Sequence, residues 1–464
     1  MKNTTLVVPE WITTSIKDVL ADERETAGVL LVGLASDPSG RTRLLARELH
    51  LVPQGAYVER RHDGLTITSE GYVHALGRAE EIGAVALWFH THPGANSSPM
   101  PSAKDLRVDR ELSELFRLRT SSESYGTLIC ASDGNRFSFT GYLDTTEGRI
   151  RIDRLWEVGR RLRLTPAADS LSERTRQIPA IFDRNVRALG GNVQQILNAL
   201  SIAVVGCGGT GSAVAEQLVR LGVRNLVLVD PDVLSESNLT RVYGSTPTSL
   251  GKNKAVVLAA HLRRLSRGVH VEAIDGSINN EQIARSLIGC DVTFGCTDDN
   301  AGRLVLSRLA AYLLLPVIDC GVLITSNASD ALTGIDGRVT VLTPGAACLV
   351  CRNRIDLQRA QAEVLPADER KLRQDEGYAP ALPGIEPAVV TFTTAVAAIA
   401  VAELLERLVG YGPEERISEI LIRFHDREIS TNVASPRAGH YCDPSAGKLG
   451  LGESDPFLEQ MWAS

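Results

Sequence analysis

The chain has few cysteines and no long apolar run. Eight cysteines in 464 residues are too few for the disulfide scaffold of a small secreted domain. No apolar segment is long enough to cross a bilayer, and residues 1–10 lack the charged and then apolar layout of a secretion signal. We therefore expect a cytoplasmic protein that does not act at a membrane.

The chain also has fewer basic than acidic residues. The chain carries 49 Lys and Arg against 56 Asp and Glu, which gives a formal net charge of -7. This balance argues against a surface that neutralises many phosphates, so we expect no nucleic-acid partner. The length and an apolar content of 44% are sufficient for more than one core, and two domains are the first expectation.

Two kinds of pattern divide the chain. Short apolar runs with one or two helical segments predict an N-terminal α+β domain over residues 1–155. The stretch that follows lacks strand-like alternation and predicts a linker over residues 156–180. Residues 181–464 then alternate strands with helices, which is typical of a Rossmann-like, mostly parallel sheet covered on both faces. The predicted fold class is α/β.

A glycine-rich turn follows the first apolar strand of the second domain and precedes a helix. Its sequence is Gly206-Cys207-Gly208-Gly209-Thr210-Gly211. Glycines in this context let the backbone approach a phosphate at the helix N-terminus, and Asp230, at the end of the next strand, can hold ribose hydroxyls. Taken alone, the pattern is also that of an NAD-dependent oxidoreductase.

Charged residues that hydride transfer does not need lie beyond this turn. Arg241 and Lys254 can stabilise the charge-rich transition state in which a carboxylate attacks the α-phosphate of ATP. Asp298 follows a later strand, at the edge where such sheets bind ligands, and can hold Mg²⁺. These residues predict an enzyme that adenylates a carboxylate.

Several segments, in this order, closely resemble the ThiF, MoeB and ubiquitin-activating superfamily. They are Asp183-Arg184-Asn185-Val186, the glycine turn, Ser237-Asn238-Leu239-Thr240-Arg241, Gly251-Lys252-Asn253-Lys254, Thr297-Asp298, Pro316-Val317-Ile318-Asp319-Cys320-Gly321 and Pro344-Gly345-Ala346-Ala347-Cys348-Leu349-Val350-Cys351. The resemblance implies that ATP and Mg²⁺ are bound and that the substrate is the C-terminal glycine of a ubiquitin-like or sulfur-carrier protein.

The same resemblance implies roles for individual residues. Asn238, Arg241 and Lys254 would contact the phosphates, and Asp298 would hold Mg²⁺. Arg184 would reach into the neighbouring subunit's site, so the resemblance also implies a homodimer.

The crossover loop departs from the family pattern. Many members have a cysteine there that receives the activated chain as a thioester, whereas residues 352–384 contain none. The acyl-adenylate would then pass to a conjugating-type partner's cysteine, or to an outside sulfur or amine nucleophile.

The zinc ligands depart as well. The family pairs the Cys348 and Cys351 motif with a second cysteine pair near the C-terminus, where this chain has His440 and Cys442. Tetrahedral zinc needs four nitrogen or sulfur ligands, so His440 or another donor would complete the shell. The alternative is a set of reduced core cysteines.

A second candidate zinc site lies in the N-terminal domain. His90 and His92 leave an apolar strand together, and Asp105 lies in the first turn of a helix that Ser102 would cap. Two nitrogens and one oxygen leave the fourth zinc position open for water, and Glu25 is the candidate base.

These residues resemble the JAMM metalloprotease family, whose members cut peptide or isopeptide bonds after the C-terminal glycine of ubiquitin-like proteins. The resemblance implies zinc bound by His90, His92 and Asp105, with Glu25 as general base. Ser102 would help to stabilise the tetrahedral oxyanion. The loop between His92 and Asp105 is longer than in the usual pattern.

Both resemblances imply one substrate, a small protein that ends in glycine. The first domain would trim a precursor or reverse conjugation, and the second would activate the released end. Such fusions are similar to those of bacterial ubiquitin-like conjugation operons, which are often linked to phage defence. Two alternatives stay open: activation of a sulfur carrier to a thiocarboxylate, and a non-catalytic scaffold that binds a ubiquitin-like protein at both sites.

Overall fold

The computed structural model describes residues 4–94, 99–133, 137–168, 178–327, 329, 331–375, 387–413 and 417–462. The chain forms two compact units. The first comprises Met1–Gln177 and Gly450–Ser454, and the second comprises Ile178–Leu449 and Asp455–Ser464. Within the described ranges, no helix has both the length and the apolar character that a membrane span requires.

The first unit is built on a large mixed sheet. Its elements are, in chain order, β1 (Thr4–Pro9), α1 (Glu10–Leu20), β2 (Ala27–Ser36), β3 (Thr42–Leu51), β4 (Tyr57–Arg60), β5 (Leu65–Ile67), α2 (Glu70–Ile82), β6 (Val85–Thr91), α3 (Ala103–Thr120), β7 (Tyr125–Ser132), β8 (Phe137–Thr145), β9 (Gly148–Arg151), β10 (Arg154–Val158) and β11 (Leu162–Pro166). The strand order is β11-β10-β1-β3-β2-β6-β7-β8-β9, and β4 pairs separately with β5.

Strand β2 is buried from both faces of this sheet. Leu30 and Val32 belong to the core cluster that includes α1, whereas Val29 and Leu31 belong to the cluster that includes α2 and α3. Successive side chains of a strand point to opposite faces, so a strand covered on both faces is a continuous apolar run. This burial fixes the position of β2, which begins two residues after Glu25 of the candidate zinc site in this unit.

Residues 156–166 differ from the expected linker. They contribute most of β10, which pairs in parallel with β1, and β11, which pairs antiparallel with β10. Trp156 and Leu162 are buried in the core. Charged residues next to them are accommodated in ion pairs, such as Arg163 with Glu157 at 2.9 Å. Burial of these apolar side chains therefore outweighs the loop-like composition.

A segment from the far end of the sequence completes the first unit. Gly450–Ser454, expected in the second domain, lies along the end of β2 beyond the residues that pair with β6. The amide of Glu453 donates a hydrogen bond to the carbonyl of Leu34 at 2.8 Å. The two backbones approach so closely that a Cβ atom on Gly33 would lie 2.1 Å from the carbonyl oxygen of Gly450.

The second unit alternates helices and strands. Its elements are α4 (Asp183–Leu189), α5 (Gly191–Ala199), β12 (Ser201–Val205), α6 (Gly209–Arg220), β13 (Asn225–Asp230), α7 (Lys254–Leu265), β14 (His270–Asp275), α8 (Glu281–Ser286), β15 (Val292–Gly295), α9 (Asn300–Tyr312), β16 (Val317–Ser326), β17 (Leu332–Leu342), α10 (Leu357–Glu363), α11 (Ala367–Asp375), α12 (Val390–Val409), β18 (Glu419–Arg423) and β19 (Glu428–Asn432).

The sheet of this unit has the order β14-β13-β12-β15-β16-β17-β18-β19. The strands from β14 to β16 pair in parallel, and those from β16 to β19 pair antiparallel. The strand order reverses between β12 and β15, and ligands of such sheets bind at the carboxyl ends of the strands at this point. The predicted α/β class and the Rossmann-like arrangement are confirmed.

Strands β16 and β17 form a long hairpin. β16 continues beyond the family motif that ends at Gly321 to Ser326, and β17 runs back beside it. Glycines interrupt the apolar alternation of β17. One of them, Gly337, lies under α12, because an added Cβ atom would come 2.6 Å from Val396. Packing against α12 therefore stabilises β17 at a position where glycine weakens the strand.

We predict that Gly33→Ala releases the segment Gly450–Ser454. The new methyl group would collide with main-chain atoms, and overpacking of this kind costs about 1–3 kcal/mol. Hydrogen exchange of the Glu453 amide should become faster. As a control, Gly77→Ala in α2 adds a methyl group that meets nothing within 4 Å, and it should leave this exchange unchanged. Undiminished protection of Glu453 in Gly33→Ala would contradict the prediction.

Candidate functional site

The glycine turn links β12 to α6 by a very close backbone approach. Gly206 has a φ of +90°, and an added Cβ atom there would lie 2.6 Å from the carbonyl group of Cys296. A Cβ atom on Gly211 would lie 1.8 Å from the carbonyl oxygen of Gly206. By contrast, a Cβ atom on Gly208 would meet nothing within 4 Å. The turn is therefore packed against the sheet on one side and open at Gly208.

The carboxylate of Asp230 is fixed against this turn. One of its oxygens accepts the Cys207 amide at 2.5 Å, and the other accepts the Asp232 amide at 2.8 Å. Burial raises the pKa of Asp230, and the charge of Lys254 opposes this shift. A carboxylate offers about four acceptor positions, so both oxygens can also accept ribose hydroxyls.

Lys254 begins α7 beside the same carboxylate. Its Nζ atom lies 2.8 Å from Asp232, and its side chain is only 12% exposed. The preceding Asn253 caps α7 and donates hydrogen bonds to the carbonyl of Asp230 and to Asp275, each at 2.8 Å. Sequence reasoning assigned no role to Asn253, although an asparagine before a helical segment is an N-cap signal.

Arg241 and Asn238 lie on the segment after β13. The side-chain oxygen of Asn238 is buried and accepts the amide of Ser235 at 3.1 Å. A Cβ atom on Gly209 would lie 3.4 Å from Cδ of Arg241 and 3.0 Å from the hydroxyl of Thr393. The side chains of Arg241 and Thr393 therefore border the glycine turn. Sequence reasoning missed Thr393, which comes from α12 and carries no local signal.

Two neighbouring carboxylates, Asp298 and Asp299, follow β15, and one of them caps the next helix. Asp299 caps α9 by accepting the amide of Gly302 at 2.7 Å. Asp298 is exposed beside it. The expected role of Asp298 as a Mg²⁺ ligand stays a prediction. Arg184 is exposed on α4.

Three cysteines and one histidine form a compact cluster in the same unit. His440 Nδ1 lies 3.6 Å from Cys348 Sγ and 3.3 Å from Cys442 Sγ, and the sulfurs of Cys351 and Cys442 are 3.6 Å apart. All four donor atoms lie within 4.8 Å of one another. Tetrahedral zinc with these ligands requires donor separations of about 3.3–3.8 Å. The residues therefore fit a structural zinc ion, with His440 in place of a fourth cysteine.

In the first unit, His90, His92 and Asp105 meet at the end of β6 and the start of α3. The Nε2 atoms of the two histidines are 3.2 Å apart, and they lie 3.6 and 3.5 Å from the carboxylate of Asp105. These separations also fit one zinc ion. Burial alone would raise the pKa of Asp105, but the proximity of both histidines outweighs it and holds this pKa below its usual range.

Glu25 and Ser102 border this cluster. Glu25 directly precedes Thr26 and β2, and its carbonyl accepts a hydrogen bond from Arg60 at 2.9 Å. Burial raises the pKa of Glu25 to about 7, with a further rise from Asp105 and a partly opposing effect of His92. Ser102 accepts the amide of Asp105 in a capping box that fixes the start of α3. The structure thus brings together all five residues expected in this site.

The chain resembles known proteins over part of its length. It is 28% identical over 163 residues to SAMP-activating enzyme E1 of Haloferax volcanii, which covers 35% of this chain and 57% of that protein. It is 29% identical over 150 residues to molybdopterin-synthase adenylyltransferase of Haemophilus influenzae, which covers 32% of this chain and 58% of that protein. The chain therefore spans little more than half the length of these two relatives.

Among solved structures, the chain is similar to E. coli MccB with ATP. This similarity covers 57% of this chain and 73% of that chain, at 18% identity and a TM-score of 0.43.

The ThiF family model matches residues 182–442. This range is more than half of the 464 residues and lies entirely within the second unit. The chain therefore belongs to the ThiF family.

Proposed function

We propose that the second unit is an ATP-dependent adenylyltransferase that activates the C-terminal glycine of a ubiquitin-like or sulfur-carrier protein. The observation that carries this proposal is the meeting of the glycine turn with Asp230, Arg241 and Lys254 at one edge of the sheet. A nucleotide needs a close backbone approach for its phosphates, a carboxylate for its ribose and cations for its charge. These residues supply all three.

The reaction would transfer the adenylyl group to the substrate. An oxygen of the terminal carboxylate attacks the α-phosphorus, and the bond from this phosphorus to the oxygen bridging to the β-phosphate breaks, so pyrophosphate leaves. Arg241 and Lys254 offset the negative charge that develops in this step. Mg²⁺, held by Asp298, would supply further charge neutralisation. Arg184 would complete the site of a second subunit in a homodimer.

The names of the two relatives support both kinds of carrier. One is a SAMP-activating enzyme, and the other is a molybdopterin-synthase adenylyltransferase. Since residues 352–384 contain no cysteine, the acyl-adenylate would pass to a nucleophile outside this loop. A neighbouring gene for a conjugating-type cysteine protein would favour conjugation, including a role in phage defence. A neighbouring sulfurtransferase gene would favour thiocarboxylate formation.

We predict that exchange of radioactive pyrophosphate into ATP requires both this protein and a carrier that ends in glycine. Lys254→Ala and Asp298→Ala should each lower the exchange rate by about 100-fold or more, because the first removes a positive charge that stabilises the transition state and the second removes the proposed Mg²⁺ ligand. Arg264→Ala, at the exposed far end of α7, should retain the wild-type rate. ATP binding without exchange, for every carrier encoded near this gene, would favour the scaffold alternative instead.

We also propose that the first unit is a zinc-dependent peptide or isopeptide hydrolase that processes or deconjugates the same carrier. The observation that favours it is the zinc-compatible spacing of His90, His92 and Asp105 next to the buried carboxylate of Glu25. Bound zinc would act as a Lewis acid that increases the acidity of water. Glu25 would take the proton from the attacking water, and the hydroxyl of Ser102 can still donate a hydrogen bond to the oxyanion.

We predict that Glu25→Gln abolishes cleavage of a carrier extended beyond its terminal glycine, while zinc stays bound. Loss of the base should lower the rate by about 100-fold or more. Cleavage would be followed by mass spectrometry of the released peptide, and zinc by elemental analysis. Glu23→Gln changes an exposed carboxylate two residues away and should cleave normally. Equal cleavage by both variants would remove Glu25 from the reaction.

We predict two zinc ions per chain, one for each donor cluster. His440→Ala should lose one zinc and lower the melting temperature, because binding of a structural zinc ion contributes to folding free energy. His440→Cys should keep both ions, since it restores a four-cysteine shell. Cys130→Ala, which removes a buried thiol of the first unit, should also keep both. An unchanged zinc content in His440→Ala would show that this histidine is not a ligand.

A further inference from the structure

Two arginines share one buried carboxylate on the strand next to β15. The side chain of Asp319, in β16, has no exposed surface and accepts a hydrogen bond from Arg338 of β17 at 2.5 Å. Arg303, from the first turn of α9, lies 3.5 Å from the other oxygen of this carboxylate. One negative charge offsets only one of the two guanidinium groups. The cluster therefore keeps a positive charge that the nucleotide reaction described above does not use.

Both guanidinium groups converge beside Gly321. A Cβ atom on this residue would lie 3.5 Å from Nη2 of Arg338 and 3.7 Å from Nη2 of Arg303. Gly321 does not have a positive φ, so its backbone does not require glycine. The absence of a side chain at Gly321 leaves space next to the two arginines. An extended main chain could occupy this space.

Part of the hydrogen-bonding capacity of the pair is unused. The Nε atom of Arg338 is buried and has no hydrogen-bond partner among the described residues, whereas the Nε atom of Arg303 faces the carboxylate of Asp319 at 3.5 Å. Leaving such donors unsatisfied is costly, and an acceptor oxygen from a ligand would offset this cost. A guanidinium group can donate two parallel hydrogen bonds to a carbonyl or carboxylate.

The position of the pair relative to the glycine turn sets what it can contact. Gly295 of β15 lies between Val205 of β12 and Asp319 of β16. Neighbouring strands are about 4.8 Å apart, so Gly321 lies roughly 10 Å from the turn across the sheet. An extended chain spans about 3.3 Å per residue. A tail whose terminal carboxylate reaches the α-phosphate would therefore pass the arginines about three residues before its end.

We infer that Arg303 and Arg338, held by Asp319, bind main-chain carbonyl groups of the carrier's tail and position its terminal carboxylate for attack. The inference rests on the proposed adenylation. The arginines are positioning residues, and Gly321 determines specificity because it leaves room for the tail.

The test is pyrophosphate exchange measured against the concentration of carrier and, separately, of ATP. Arg338→Met should raise the KM for the carrier by about tenfold or more, since it removes a charged donor, with the KM for ATP changed by less than about twofold. Arg338→Lys should be intermediate, because it keeps the charge but loses the paired donors. Gly321→Val should raise the KM for the carrier without any change of charge.

A shortened carrier and a matched arginine variant serve as controls. A carrier that lacks its last four residues should bind wild type and Arg338→Met with equal affinity in calorimetric titration, because it no longer reaches the pair. Arg423 lies on β18, the strand next to β17, and is exposed and paired with Glu428. Arg423→Met should leave both KM values unchanged.

Three results would overturn the inference, and they can be told apart. An unchanged KM for the carrier in Arg338→Met and Gly321→Val would leave adenylation standing but remove the tail contact. A raised KM for ATP alone would assign the arginines to the nucleotide. Absence of exchange in wild type with every carrier would remove the proposed function itself, and with it this inference.

Discussion

The close contact between the two ends of the glycine turn is the constraint on which the second unit's site depends. Because Gly211 lies against the carbonyl of Gly206, α6 begins directly at the carboxyl end of β12. The amide of Cys207 is then held by Asp230, and Asp232, which follows Asp230, holds Lys254. The orientation of Asp230 thus depends on a close backbone contact that any side chain at Gly206 or Gly211 would prevent. Such preorganisation allows fixed charges to stabilise a transition state without reorganising.

The candidate zinc site of the first unit depends on burial instead. Strand β2 is enclosed on both faces, and Ala27 pairs with His90 on β6. Glu25 therefore emerges from the core beside the histidines, and its burial disfavours the charged form of the carboxylate. The capping box of Ser102 and Asp105 adds the third donor, because the contacts that start α3 also hold the carboxylate in place. A local helix signal and a long-range strand pairing jointly build this site.

The sequence predicted the features that local patterns determine. The alternation of strands and helices in the second unit was predicted from the sequence pattern. The donor cluster of the first unit was predicted from residue spacing, and that of the second unit from the family resemblance. Contacts between residues distant in the chain were missed. Gly450–Ser454 joins β2 across more than 400 residues of sequence, and Asp319 meets Arg338 only because β16 and β17 pair. Composition misled at β10 and β11, because an arginine-rich segment can still bury its tryptophan and leucine.

The two proposed activities act on the same carbonyl carbon, so they must be distinguished by what is bonded to it. Hydrolysis needs an amide at the terminal glycine and yields a free carboxylate, which is the group that adenylation consumes. The product of the first proposed activity would therefore be the substrate of the second, whereas the acyl-adenylate has no amide at that carbon to be cleaved. Cleavage of conjugates as fast as they form would consume ATP without net conjugation. The acceptor nucleophile therefore decides the outcome, since an acyl group transferred to sulfur as a thiocarboxylate is not an amide, whereas an isopeptide conjugate is a substrate for cleavage.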